Sequence, residues 1–87
     1  MLIQKKAPVV KENAPQAKEL SKNQAINIAL KDAGVSRAEV SFDDIELDTD
    51  DGRKIWEISF DAGNWEFEYE IDALTGKIID SEKEHDD

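Results

Sequence analysis

The second half of the chain alternates. Ile45 and Leu47 point one way while Asp44, Glu46 and Asp48 point the other, and Trp56, Ile58 and Phe60 alternate with Glu57, Ser59 and Asp61. The run from Trp65 to Asp72 is cleaner still, with Trp65, Phe67, Tyr69 and Ile71 at odd positions and Glu66, Glu68, Glu70 and Asp72 at even ones. A period of two is that of a strand with one buried and one solvated face. Asp51-Gly52 separates the first two runs, and this pair takes positive φ at both centres of a two-residue hairpin. Ala62-Gly63-Asn64 separates the next two, and Asp72-Ala73-Leu74-Thr75-Gly76 precedes a short last strand, Lys77-Ile78-Ile79-Asp80.

The first apolar stripe has a different period. Ala25, Ile26, Ala29, Leu30 and Ala33 fall on one face of a helix, with Lys22, Asn23, Asn27 and Lys31 off it. Ser21 and Gln24 are spaced as a capping box, and Gly34 is placed to end the helix in the left-handed conformation. A second box, Ser36 to Glu39, predicts one more short turn before Val40. The alternating strands need a cover for their apolar face, and one helix is available. The pattern therefore predicts an α+β fold, with an N-terminal helix packed on one face of a four-stranded antiparallel meander sheet.

Register follows from loop length. A two-residue loop at Asp51-Gly52 places Leu47 opposite Trp56, Ile45 opposite Ile58 and Glu46 opposite Glu57. The next hairpin has two solutions of equal parity. A loop of Ala62-Gly63 sets Glu57 opposite Glu68, and a loop of Gly63-Asn64 sets it opposite Glu70. Either way one face is rich in aromatic residues and the other in acids. Trp56, Trp65 and Tyr69 alternate with acids, which assigns them to a core rather than to a ligand platform, with Trp56 partly exposed near an edge.

The boundaries are set by what lacks a period. Residues 1–20 are interrupted by Pro8 and Pro15 and dominated by Lys, Gln, Asn and Ala, which reads as a flexible tether. The domain spans 21–80, and residues 81–87, SEKEHDD, read as a disordered acidic tail. Lys5 and Lys6 follow only four residues, with no apolar run of signal-peptide length, so the chain reads either as cytoplasmic or as an excerpt whose targeting segment lies upstream, and its start inside a tether favours the excerpt.

Composition excludes several classes. The 87 residues carry 11 basic and 21 acidic side chains, a net charge of −10, and no cysteine. A chain of this charge is repelled by nucleic acid, and no disulfide or thiolate zinc site can form. No apolar run approaches a membrane span. The charge is also segregated, at +4 over residues 1–38 and −14 over residues 39–87. It concentrates on the strands, where Glu46, Glu57, Glu66, Glu68 and Glu70 form the candidate partner face.

Other candidate chemistry falls away. Asp48-Thr49-Asp50-Asp51-Gly52 has its glycine one position early for a calcium loop and Ser59 where the bidentate Glu belongs, so it reads as a turn. Paired carboxylates on an open sheet lack the pocket and the unlike environments that acid–base catalysis requires. His85, the single histidine, sits among tail acids and reads as solvated. Neither a catalytic residue nor a cofactor or metal site is expected.

The stretch from about Ser21 to Asp80 resembles the PepSY domain of protease propeptides and bacterial cell-envelope proteins. The resemblance rests on SKNQAINIALKDAGV, ELDTDDGRKIWEISF and WEFEYEIDALTGKIID. Its most specific element is Tyr-x-Ile-Asp-Ala-x-Thr-Gly-x-Ile, Tyr69 through Ile78, supported by Ala25-x-x-x-Ala29 and the Asp51-Gly52 turn. The resemblance implies a helix on an antiparallel sheet and a non-enzymatic module that restrains a peptidase or acts as an extracytoplasmic interaction module, its partner a peptidase or a cell-envelope protein. It carries no catalytic residue onto this chain. The alternative is a structural or self-associating domain whose acidic face serves only solubility.

Overall fold

A computed structural model describes residues 19–85. Helix α1 (Lys22–Ala33) is followed by a short 3-10 turn (Arg37–Glu39) and four strands, β1 (Val40–Asp50), β2 (Arg53–Ala62), β3 (Trp65–Asp72) and β4 (Ile78–His85). The strands form one antiparallel sheet in the order β1-β2-β3-β4, and α1 packs on the two inner strands. This is the expected α+β meander under one helix.

The local signals act as their chemistry demands. Ser21 Oγ accepts from the Gln24 amide at 3.1 Å, while Gln24 Oε1 accepts from the Ser21 amide at 2.8 Å. Gly34 takes φ 77°, which lets its N–H reach the Leu30 carbonyl and the Val35 N–H reach the same oxygen. Asp51 and Gly52 have φ 54° and 78°, as the right-handed twist of a two-residue hairpin requires.

The first hairpin has the expected register, with Leu47 opposite Trp56 and Glu46 opposite Glu57. The second is closed by Gly63-Asn64, which sets Ala62 opposite Trp65 and Glu57 opposite Glu70. A bulge interrupts β1 between Phe42 and Asp44. Phe42 has the opposite parity to Ile45 and Leu47, and the extra residue, Asp43, restores all three to the helix side.

The core lies between α1 and the inner strands. Ala25 and Ala29 are fully buried, so α1 approaches closely over Ile58, Phe60, Phe67, Tyr69 and Ile71. Phe60 stacks on Phe67 with centroids 5.2 Å apart and takes the edge of Phe42 at 5.8 Å. Emptying the Phe60 site would cost about 3–5 kcal/mol.

Both ends of the domain depart from the expected boundaries. The assigned tether, residues 1–20, lies largely outside the described residues, but its last two belong to the fold. The Leu20 amide donates to the Ala73 carbonyl at 2.7 Å, the Leu20 carbonyl accepts from the Trp56 indole at 3.0 Å, and Glu19 pairs with Lys54 at 2.6 Å. At the other end, β4 does not stop at Asp80. Residues 81–85, expected as tail, continue the ladder with Ser81 opposite Tyr69 and His85 opposite Trp65, pairing backbone groups of β3 that would otherwise be unpaired from Trp65 to Tyr69. Residues 86–87 lie outside the described residues.

Trp65 is a second correction. It is 39% exposed, beyond the reach of a helix of about 18 Å, and its ring is contacted from β4. Lys83 Nζ sits 4.3 Å from its ring centroid, and His85, exposed as expected, sets its ring edge-on at 4.8 Å.

Candidate functional site

The connection from β3 to β4 holds the helix, the sheet and the chain before the helix together. Asp72 Oδ1 accepts from the amides of Leu74 and Thr75 at 2.8 and 3.0 Å, and these two bonds lead the effects that hold its carboxyl below the usual range. Ala73 is fully buried, donating to the Lys54 carbonyl and accepting from the Leu20 amide. Thr75 Oγ1 accepts from the Lys77 amide at 3.1 Å. Gly76 has φ 79° and faces Ile28 and Leu20, which an added Cβ would meet at 3.3 and 3.4 Å. Each of these side chains is engaged in shaping the turn.

The opposite face of the sheet carries the charge. Strand parity and register set Glu46, Glu57, Glu70 and Asp80 in one row across all four strands. The next row is Asp44, Ser59, Glu68 and Glu82, and the one beyond contains Asp61, Glu66 and Glu84. Toward the Asp51-Gly52 turn the pattern changes to Asp48, Ile55 and Asp72. The five expected residues, Glu46, Glu57, Glu66, Glu68 and Glu70, thus share one surface with further acids, several of them from β4. Among the described residues no element packs over it. Asp44, Glu57, Ser59, Glu68, Glu70, Asp80 and Glu82 line an open depression of about 250 Å³ at its centre.

Crowding shows in the proton affinities. A hydrogen bond and repulsion from Asp44 raise the Glu46 carboxyl, helped by slight desolvation and by Asp48. Glu57 is raised first by desolvation, then by Asp48, with Glu70 and Glu46 adding repulsion from the neighbouring strands. No basic side chain lies in these rows. The chemistry available is that of an anionic platform, suited to a cationic surface. A hard cation would find its oxygen ligands at Asp43, Asp61 and Glu66, whose carboxylates lie within 4.8 Å of one another.

The sequence alone missed the contribution of β4 to this face. Asp80, Glu82 and Glu84 alternate with Ser81, Lys83 and His85, so the period of two was present, but without apolar residues to mark it.

Comparison with known proteins gives the family. The family model for PepSY, described as the peptidase propeptide and YPEB domain, matches residues 19–82. An uncharacterized protein, Spy1430, of Streptococcus pyogenes serotype M6 is 38% identical over 65 residues, which cover 75% of this chain and 50% of that protein. The chain thus spans about half the length of the curated relative it matches. No solved structure matches. Among the described residues no helix is long and apolar enough to cross a membrane.

Proposed function

The chain belongs to the PepSY family, and from that premise we propose that it is a non-enzymatic, extracytoplasmic module that binds another protein through its acidic sheet face and restrains a peptidase. The observation that carries the reading is the row Glu46, Glu57, Glu70 and Asp80, like charges set directly opposite one another across four strands. Such pairs destabilise a sheet. Solubility needs net charge but no such alignment, and interspersed signs would serve it at lower cost to the fold. A basic surface laid over the face relieves the repulsion, so the free domain is strained toward binding. The partner is accordingly a peptidase or cell-envelope protein with a cationic patch.

The test is a panel of secreted peptidases from the source organism, assayed with micromolar domain. The reading expects at least one to be slowed without cleaving the domain. A panel in which none is slowed favours the alternative, a face that serves solubility alone.

A further inference from the structure

Among the described residues the sheet has two uncovered edges, β1 and β4, the end strands of the order β1-β2-β3-β4, while α1 packs on the inner strands. The edges differ in charge and in cover. β4 directs Lys83 to the helix side, where it lies over the rings of Trp65 and Phe67 at 4.3 and 5.7 Å. β1, VSFDDIELDTD, contains no basic residue. On the helix side it presents Ile45, half-buried, and Leu47, 41% exposed. On the other side it presents Asp44, Glu46 and Asp48. The bulge at Asp43 confines the regular part of the edge to residues 44–50, about 20 Å of strand.

Resting on the reading of the chain as an interaction module, we propose that β1 accepts an extended segment of a partner protein as a fifth strand over residues 44–50, and that this segment alternates apolar and basic residues. The outward backbone groups of an edge strand are a template for strand addition, and side chains at alternate positions decide what is admitted. Alternate residues of an added strand fall beside Ile45 and Leu47 on the helix side, where apolar groups extend the core. The residues between them fall beside Asp44, Glu46 and Asp48, where cations are required. A second copy of this edge is a poor occupant, since it would bring the four carboxylates of residues 44–50 against four. The acids therefore select against self-pairing while admitting a basic strand, attraction and rejection from one set of residues.

The experiment is a nuclear magnetic resonance titration of the full chain with a blocked decapeptide alternating valine and lysine. Its controls are a peptide of the same composition with the residues in two blocks, and two forms N-methylated at alternate positions in one phase or the other. The alternating peptide should slow amide exchange over residues 44–50. Methylation in one phase should weaken binding at least tenfold and in the other leave it unchanged, because only one set of N–H groups faces the edge. Leu47→Lys should also weaken it at least tenfold with the circular dichroism spectrum intact. The proposal is overturned if no peptide binds, if the block and methylated peptides bind as well as the alternating one, or if the chain alone sediments as a dimer through β1. Equal binding centred on Glu57, Glu68 and Glu70 would leave the acidic-face reading standing while removing the edge. Binding at β1 that ignores Gln substitutions at those three residues would do the reverse.

Discussion

Tyr69 donates its phenolic hydrogen to Asp32 Oδ2 across 3.0 Å, tying the middle of β3 to the last turn of α1. The phenol is nearly buried, and desolvation, the hydrogen bond and the Asp32 charge push its proton affinity up to about 12. Tyr69→Phe should lower stability by about 0.5–1.5 kcal/mol in urea denaturation. The folded state holds this proton where the unfolded chain loses it near 10, so wild-type stability should fall as pH rises from about 10 toward 12. The Phe variant should lack that component. An unchanged midpoint would show that the bond contributes nothing net.

Gly76 is the turn residue with the least freedom. Its φ of 79° is left-handed, and a Cβ would press on Ile28 and Leu20. Gly76→Val should cost on the order of 1–3 kcal/mol, read as a shift in denaturation midpoint. A variant as stable as wild type would contradict the geometry of the turn.

The raised carboxyls set a pH dependence of definite sign. Glu46 and Glu57 bind protons more tightly folded than unfolded, so stability is greatest below the usual value of 4.5 and is lost as pH rises through the raised values. Asp72 acts oppositely, adding stability above its usual 3.8 that is lost as pH falls through its lowered value. At low ionic strength the denaturation midpoint should therefore be higher at pH 5 than at pH 7, with added salt narrowing the gap. A midpoint at pH 5 no higher than at pH 7 would contradict the crowding.

Much of this arrangement was legible in the residues. Asp51-Gly52 sets the first register by length and φ alone, and the apolar parity of Ile45, Leu47, Trp56 and Ile58 agrees with it. The second hairpin stayed undecided because a loop of Ala62-Gly63 or Gly63-Asn64 keeps every side chain on the same face. The bulge is legible in retrospect from Phe42, which has the wrong parity for its strand. The length of β4 was hidden because its inner residues are Ser81, Lys83 and His85 rather than apolar ones, so nothing but partnership with β3 holds them in line. Trp65 was misplaced because alternation shows which face a residue occupies and not how far the helix extends over it.

Removing residues 81–87 tests that partnership. It strips β3 of its neighbour from Trp65 to Tyr69 and takes Lys83 and His85 from the Trp65 ring. Loss of several ladder hydrogen bonds should cost on the order of 2 kcal/mol or more. Tryptophan emission in the native state should shift to the red. If neither the midpoint nor the emission changes, the segment is a tail after all.

On the proposed function, the acidic face is held under repulsion for a partner to relieve. The direct measurement is peptidase inhibition by wild type and by a Glu57→Gln/Glu68→Gln/Glu70→Gln variant, alongside the denaturation midpoint of each free domain. The two readings should move in opposite directions, with the variant more stable on its own and at least tenfold weaker as an inhibitor. A variant that is more stable and inhibits as well as wild type would contradict the proposed function.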